Sequence, residues 1–134
     1  MLAHTLAMLP AFLAYFAVGA VLIAGFLLVY LNITPYDEIT LIRQGNTAAA
    51  VSLCGAMFGF VLPVANVIAH SDGLLELAVW GLIAGVIQLI TYLLARLTLP
   101  QIVADIPAGR MASAVFLAGL SLTVGLLNAA CMTY

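Results

Sequence analysis

"NTAAAVSLCGAMFGFVLPVANVIA", Asn46 to Ala69, runs for 24 residues without an acid, a lysine or an arginine. As a helix it rises about 36 Å, enough to cross a hydrocarbon core of roughly 30 Å with some tilt. Reading outward, the polar breaks mark off three more stretches of the same kind, giving predicted spans of 8–32, 46–69, 74–97 and 110–133. The whole chain of 134 residues is 66% hydrophobic and 6% charged, too little polar surface to cover itself in water. The fold class expected is all-α: a polytopic integral membrane protein of four transmembrane helices forming one domain over 1–134.

The first span has no basic residue before it and an apolar run too long for a signal sequence, so it is read as retained. The basic residues are Arg43, Arg96 and Arg110, all beside the first and third connections. With four spans those connections share one side, and the positive-inside rule assigns them to the cytoplasm and both termini to the periplasm. The opposite side would carry Asp72 and Glu76.

Sliding the chain by 64 positions lays 42–65 over 106–129 with 9 of 24 residues identical, among them Gly45 on Gly109 and Gly55 on Gly119. About three matches are expected from so biased a composition. The excess points to a duplication, with repeat one at 8–69 and repeat two at 74–134. Two crossings return the chain to its starting side, so the repeats are expected to be parallel, related by an axis along the membrane normal.

The charged stretch "TPYDEITLIRQGN", Thr34 to Asn46, reads as a short surface helix. Thr34 is its expected N-cap, Pro35 and Asp37 belong to its first turn, Gly45 ends it, and Asn46 caps the next span. Either its charges simply stay in water, or Tyr36, Asp37, Glu38 and Arg43 form a contact or gating loop for a partner. Arg96 is expected to reach the interface or pair with Asp105, Asp37 or Glu38.

No acid, lysine or arginine lies at mid-membrane depth, which argues against an ion-coupled pump. The deep polar residues include Asn66, Gln88 and Asn128, read either as glue between helices or as a polar layer lining a small path. Gly55 to Gly59 and Gly81 to Gly85 both have the G-x-x-x-G spacing of close helix contacts, within the chain or between chains. Cys54 and Cys131 lie at different depths and are expected to be unbridged, buried thiols. His4, His70, Asp72 and Glu76 match no metal-ligand spacing. No catalytic triad, phosphate loop or carboxylate pair is present, so no enzyme activity, metal or cofactor is expected. Three basic residues are too few for nucleic acid.

The "YDE" and "LIRQGN" loop, the span "AAAVSLCGAMFGFVLPVANVIAHS" and the closing "SLTVGLLNAACMTY" resemble the bacterial inner-membrane family known as domain of unknown function 350, in its four-span, two-copy form. The resemblance covers nearly the whole chain. It implies an integral protein of the bacterial cytoplasmic membrane with no catalytic residues to carry over, in an envelope-stress or membrane-maintenance setting. Two functions stay open: a non-enzymatic component that recruits partners through its cytoplasmic loops, or a small oligomeric channel or passive transporter. The expected partners are the lipid bilayer and either further copies of the chain or other membrane-associated proteins.

Overall fold

The computed structural model describes residues 1–70 and 73–132. Its elements are α1 (Leu2–Ile33), α2 (Glu38–Arg43), α3 (Thr47–His70), α4 (Leu74–Thr98), α5 (Ile102–Asp105) and α6 (Met111–Cys131). Four of them, α1, α3, α4 and α6, are long and apolar enough to cross a membrane, at the places the hydropathy marks. A helix pairs nearly all of its backbone polar groups internally, Pro10 and Pro63 each costing one bond, which is why lipid selects helices here. α1 starts at Leu2 rather than at 8, because nothing in Leu2 to Ala7 breaks a helix and the Thr5 hydroxyl bonds back to Met1 O at 3.1 Å. Asp72, expected among the charges opposite the arginines, lies outside the described residues, as does the 133 end of the fourth predicted span.

α3 and α4 each contact the other three long helices. α3 is the most enclosed, with 56% of its most apolar window buried against 11% for α1. Between apolar helices in lipid there is little hydrophobic driving force, so close packing and polar contacts hold them together. α3 and α6 run in the same direction, and small residues let their backbones touch: Gly55 meets Ala118, and Gly59 meets Ser121 and Gly125. The second small-residue pair belongs to α4, where Gly81 receives Leu22 of α1, and Gly85 faces Phe60 and Phe26. The Gly55 and Gly59 face is therefore filled within the chain, whereas Gly81 and Gly85 also line an open apolar cavity between α1 and α4 of about 410 Å³.

At the end of the bundle that carries the arginines, Asp37, not Thr34, is the N-cap of α2. Its side chain accepts from the Thr40 backbone N–H at 3.3 Å and from the Thr40 hydroxyl at 2.7 Å. Thr34 instead closes α1, its N–H bonded to Tyr30 O at 3.1 Å. Thr34 is in extended backbone and Pro35 follows it, so the helix has to restart, and the next residue able to cap it is Asp37. α2 ends in a Schellman turn with Gly45 at φ 85°, Gly45 N–H to Ile42 O at 2.9 Å and Asn46 N–H to Leu41 O at 2.9 Å. Asn46 then caps α3 through Ala49 N–H at 3.0 Å. Gly109, at φ 80°, closes α5 with the matching bonds, Gly109 N–H to Ile106 O and Arg110 N–H to Asp105 O.

Neither cysteine is buried. Cys54 and Cys131 are both free, and both face outward, which in a membrane is toward lipid. The apolar surroundings expected for these thiols are therefore supplied by the bilayer rather than by the core.

Candidate functional site

The four residues expected to face a partner divide. Asp37 and Arg43 are exposed, whereas Tyr36 is buried and Glu38 is 0% exposed. The alternative expectation, that the charges of this stretch stay in water, also fails for Glu38. The reason is the cap: with Asp37 turned outward to bond Thr40, the next residue starts the helix on the opposite side and points into the bundle.

There Glu38 enters a cluster built by three elements. Tyr30 comes from the last turn of α1, Thr34 and Tyr36 from the connector, and Tyr92 from α4. The Thr34 hydroxyl donates to Glu38 Oε1 at 2.6 Å. Tyr30 and Tyr92 meet edge to face, with ring centroids 5.4 Å apart. Phe26 and Phe60 continue this aromatic column into the membrane: Phe26 lies 5.7 Å from Tyr30 and stacks on Phe60 at 4.5 Å. The hydroxyls of Tyr36 and Tyr92 lie near each other without a hydrogen bond of good geometry, and Tyr30 Oη and Glu38 Oε2 also lack one. Burial pushes the Glu38 carboxyl above the usual carboxylate range, partly offset by the Thr34 hydroxyl. Burial likewise raises the Tyr36 phenol, with Tyr92 and Tyr30 adding to the effect. Asp37 is held below its ordinary value by the Thr40 hydroxyl and backbone N–H.

The second connection is tied to the first. The Asn46 side-chain amide donates to Ile106 O at 3.0 Å and Pro107 O at 3.1 Å, residues 60 and 61 positions further along the chain. Asp105, largely buried, accepts from Ser113 Oγ at 2.6 Å and pairs with Arg110 at 3.3 Å. Asp105 is thus taken by Arg110 rather than by Arg96, which forms no ion pair among the described residues.

The expected polar layer of Asn66, Gln88 and Asn128 is not assembled as one. Gln88 reaches through the notch at Gly59 and donates to Ser121 O at 3.1 Å, joining three helices at one point. Asn66 donates to Ala129 O at 2.8 Å. Their acceptors are eight residues apart on α6, about 12 Å along the helix. Asn128 Nδ2 is buried without a hydrogen bond. Asn128→Leu is therefore expected to leave stability within about 1 kcal/mol of wild type, or to raise it, since an unsatisfied amide is removed at similar volume. Thermal unfolding in detergent checks this, and a loss well beyond that would show that the amide has a partner the bundle needs. Among the described residues, no three of His, Cys, Asp and Glu come together as metal ligands.

Sequence reasoning missed Tyr30, Tyr92 and the bond between Thr34 and Glu38. One signal was present: two tyrosines, a threonine and two acids fall within 30–38, at the end of a span. Nothing local assigned Tyr92 to the same cluster.

A family model described as Domain of Unknown Function (DUF350) matches residues 2–132. The UPF0719 inner membrane protein YjfL of Escherichia coli (strain K12) is 37% identical over 131 residues, covering 98% of this chain and 99% of that protein. The UPF0719 transmembrane protein YshE of Bacillus subtilis (strain 168) is 31% identical over 96 residues, 69% of each chain. No solved structure matches.

Proposed function

The chain belongs to the family described as Domain of Unknown Function (DUF350), whose relatives are inner-membrane proteins, and from that premise we propose that it is a non-enzymatic membrane component that recruits partners through α2 and the connections beside it. The observation that carries this reading is the build of α2. Asp37, Ile39 and Arg43 are exposed, Ile39 at 41%, on a helix fixed at its start by an aspartate cap and the buried Glu38, and at its end by a glycine turn. A rigid, mixed apolar and charged element at a membrane surface loses little entropy on docking. The rest of the polar chemistry is spent on structure. Ser52 and Thr91 donate within their own helices, Ser113 holds Asp105, and Gln88 and Asn66 bridge helices.

The three arginines, read by the positive-inside rule, support a cytoplasmic position for this face and periplasmic termini. Two parallel repeats are supported by the shared glycine turns at Gly45 and Gly109, 64 positions apart as in the sequence match. A membrane-maintenance or envelope-stress role is the setting that fits a recruiter of this kind.

A photo-crosslinking residue at Ile39 in living cells tests the reading, with one at Leu94 on an outward face of α4 as control. Discrete protein adducts are expected from Ile39, lost in an Asp37→Asn, Arg43→Ala background, in which asparagine keeps the cap on α2 and removes the charge. Adducts that survive that double change, together with solute flux through proteoliposomes abolished by Asn66→Leu, would sink the recruiter and favour the channel.

A further inference from the structure

We infer that Glu38 is a proton-binding site: its carboxyl is held neutral inside the arginine-bearing end of the bundle, in a buried cluster with Tyr30, Tyr36 and Tyr92, and losing the proton leaves a buried charge that lowers the stability of the fold. The inference does not depend on what docks on α2. It rests on a carboxyl group that is 0% exposed, with one oxygen bonded to the Thr34 hydroxyl and the other, Oε2, buried with no partner. Three more buried oxygens of the same cluster, the tyrosine hydroxyls, make no hydrogen bond of good geometry. A carboxylate in that position needs a counter-charge, and a neutral acid does not.

Among the described residues, none supplies such a counter-charge. From α1 comes Tyr30, and from the connector Thr34, Tyr36 and Asp37, the last adding negative charge. α4 contributes Tyr92 and Arg96, and the arginine acts on Tyr92 rather than pairing with the acid. α3, which α2 packs against, has Cys54 and His70 as its titratable residues, two turns or more from its start at Thr47. On α2 itself Arg43 is exposed at the far end and acts on Asp37. With Oε1 accepting from Thr34, the proton resides on Oε2, the carboxyl oxygen that accepts from no donor. On deprotonation the proton passes to water beside the exposed Asp37, one residue away.

Burial raises this carboxyl's pKa above its value in the unfolded chain. Its contribution to stability is accordingly present in full at low pH and is lost as pH rises through the folded-state pKa. The experiment is infrared difference spectroscopy on the full-length protein in lipid nanodiscs, scanned from about pH 5 to about pH 9, with thermal unfolding over the same range. At about pH 7 the wild type is expected to show a protonated-carboxyl C=O band that Glu38→Gln lacks. The band should fade as pH rises, and the wild-type unfolding temperature should fall over the same interval while that of Glu38→Gln stays level. Absence of the band in wild type at about pH 7, or its persistence in Glu38→Gln, overturns the proposal. So does a sodium-specific rescue of the wild-type unfolding temperature at high pH, which would make the bound charge a metal ion. Should Glu38→Gln not fold, Thr34→Val decides: removing a donor to the carboxylate must move the band's midpoint to higher pH, and an unmoved midpoint refutes the site.

Discussion

Gly59→Leu is expected to separate α3 from α6 and to abolish the folded bundle. A Cβ on Gly59 would collide with the backbone at Ser121 and come within 2.9 Å of the Gln88 amide, and Gly125, one turn further along α6, also lies against the Gly59 backbone. Flexible side chains can move aside, but two helix backbones in contact can only part. Parting them also breaks the bond from Gln88 to Ser121 O. Overpacking a well-filled site costs about 1–3 kcal/mol, and a residue of leucine's size at a backbone crossing belongs at or above the top of that range. The matched control is Gly119→Leu, because a Cβ at Gly119 meets nothing within 4 Å. Gel-filtration profiles and thermal unfolding of the two variants in detergent should differ sharply. Equal behaviour would mean that the crossing is not where α3 and α6 are held together.

Phe60→Ala is expected to produce the second largest loss, about 2 kcal/mol or more. Phe60 is 2% exposed and stacks on Phe26 with an interplanar angle of 9°. In a water-soluble core part of the cost of such a truncation comes from returning apolar surface to water. Lipid is as apolar as the core, so here the cost comes from the cavity and from lost ring contacts. The control is on the same helix: Phe58, 60% exposed, faces outward, and Phe58→Ala should be close to neutral. The damage should also spread, because Phe26 links Phe60 to Tyr30 and so to the cluster around Glu38. Denaturant or steric-trapping titrations of the two variants measure the difference, and similar losses for both would rule out the aromatic column as a packing centre.

Most of the architecture was legible in the order of residues. The four spans follow from apolar length alone, since a bilayer accepts little else. The local chemistry of the first connection was partly legible as well. Gly45 takes the positive φ that glycine tolerates, and Asn46 caps α3. The N-cap was misplaced by three residues because Thr34 and Asp37 are both good caps, and the choice between them depends on where α1 stops and where Pro35 sends the chain. That small difference decides which of two adjacent acids enters the bundle.

The sequence by itself determined that this chain crosses a membrane four times, where it turns, and which end holds its positive charge. These follow from terms that act locally: hydrophobic length, backbone hydrogen bonding in lipid, and the preferences of glycine, proline and capping side chains. Only the tertiary structure decided that Glu38 points inward while Asp37 points out, that Gln88 and Asn66 lie at different levels, that Gly59 is at a crossing while Gly119 faces open space, and that Cys54 faces outward. In a soluble helix the apolar stripe reveals the buried face, but in these spans the lipid-facing and core-facing residues are equally apolar. What separates the two faces is how closely the next backbone can approach, a property of pairs of helices that no single stretch of sequence contains.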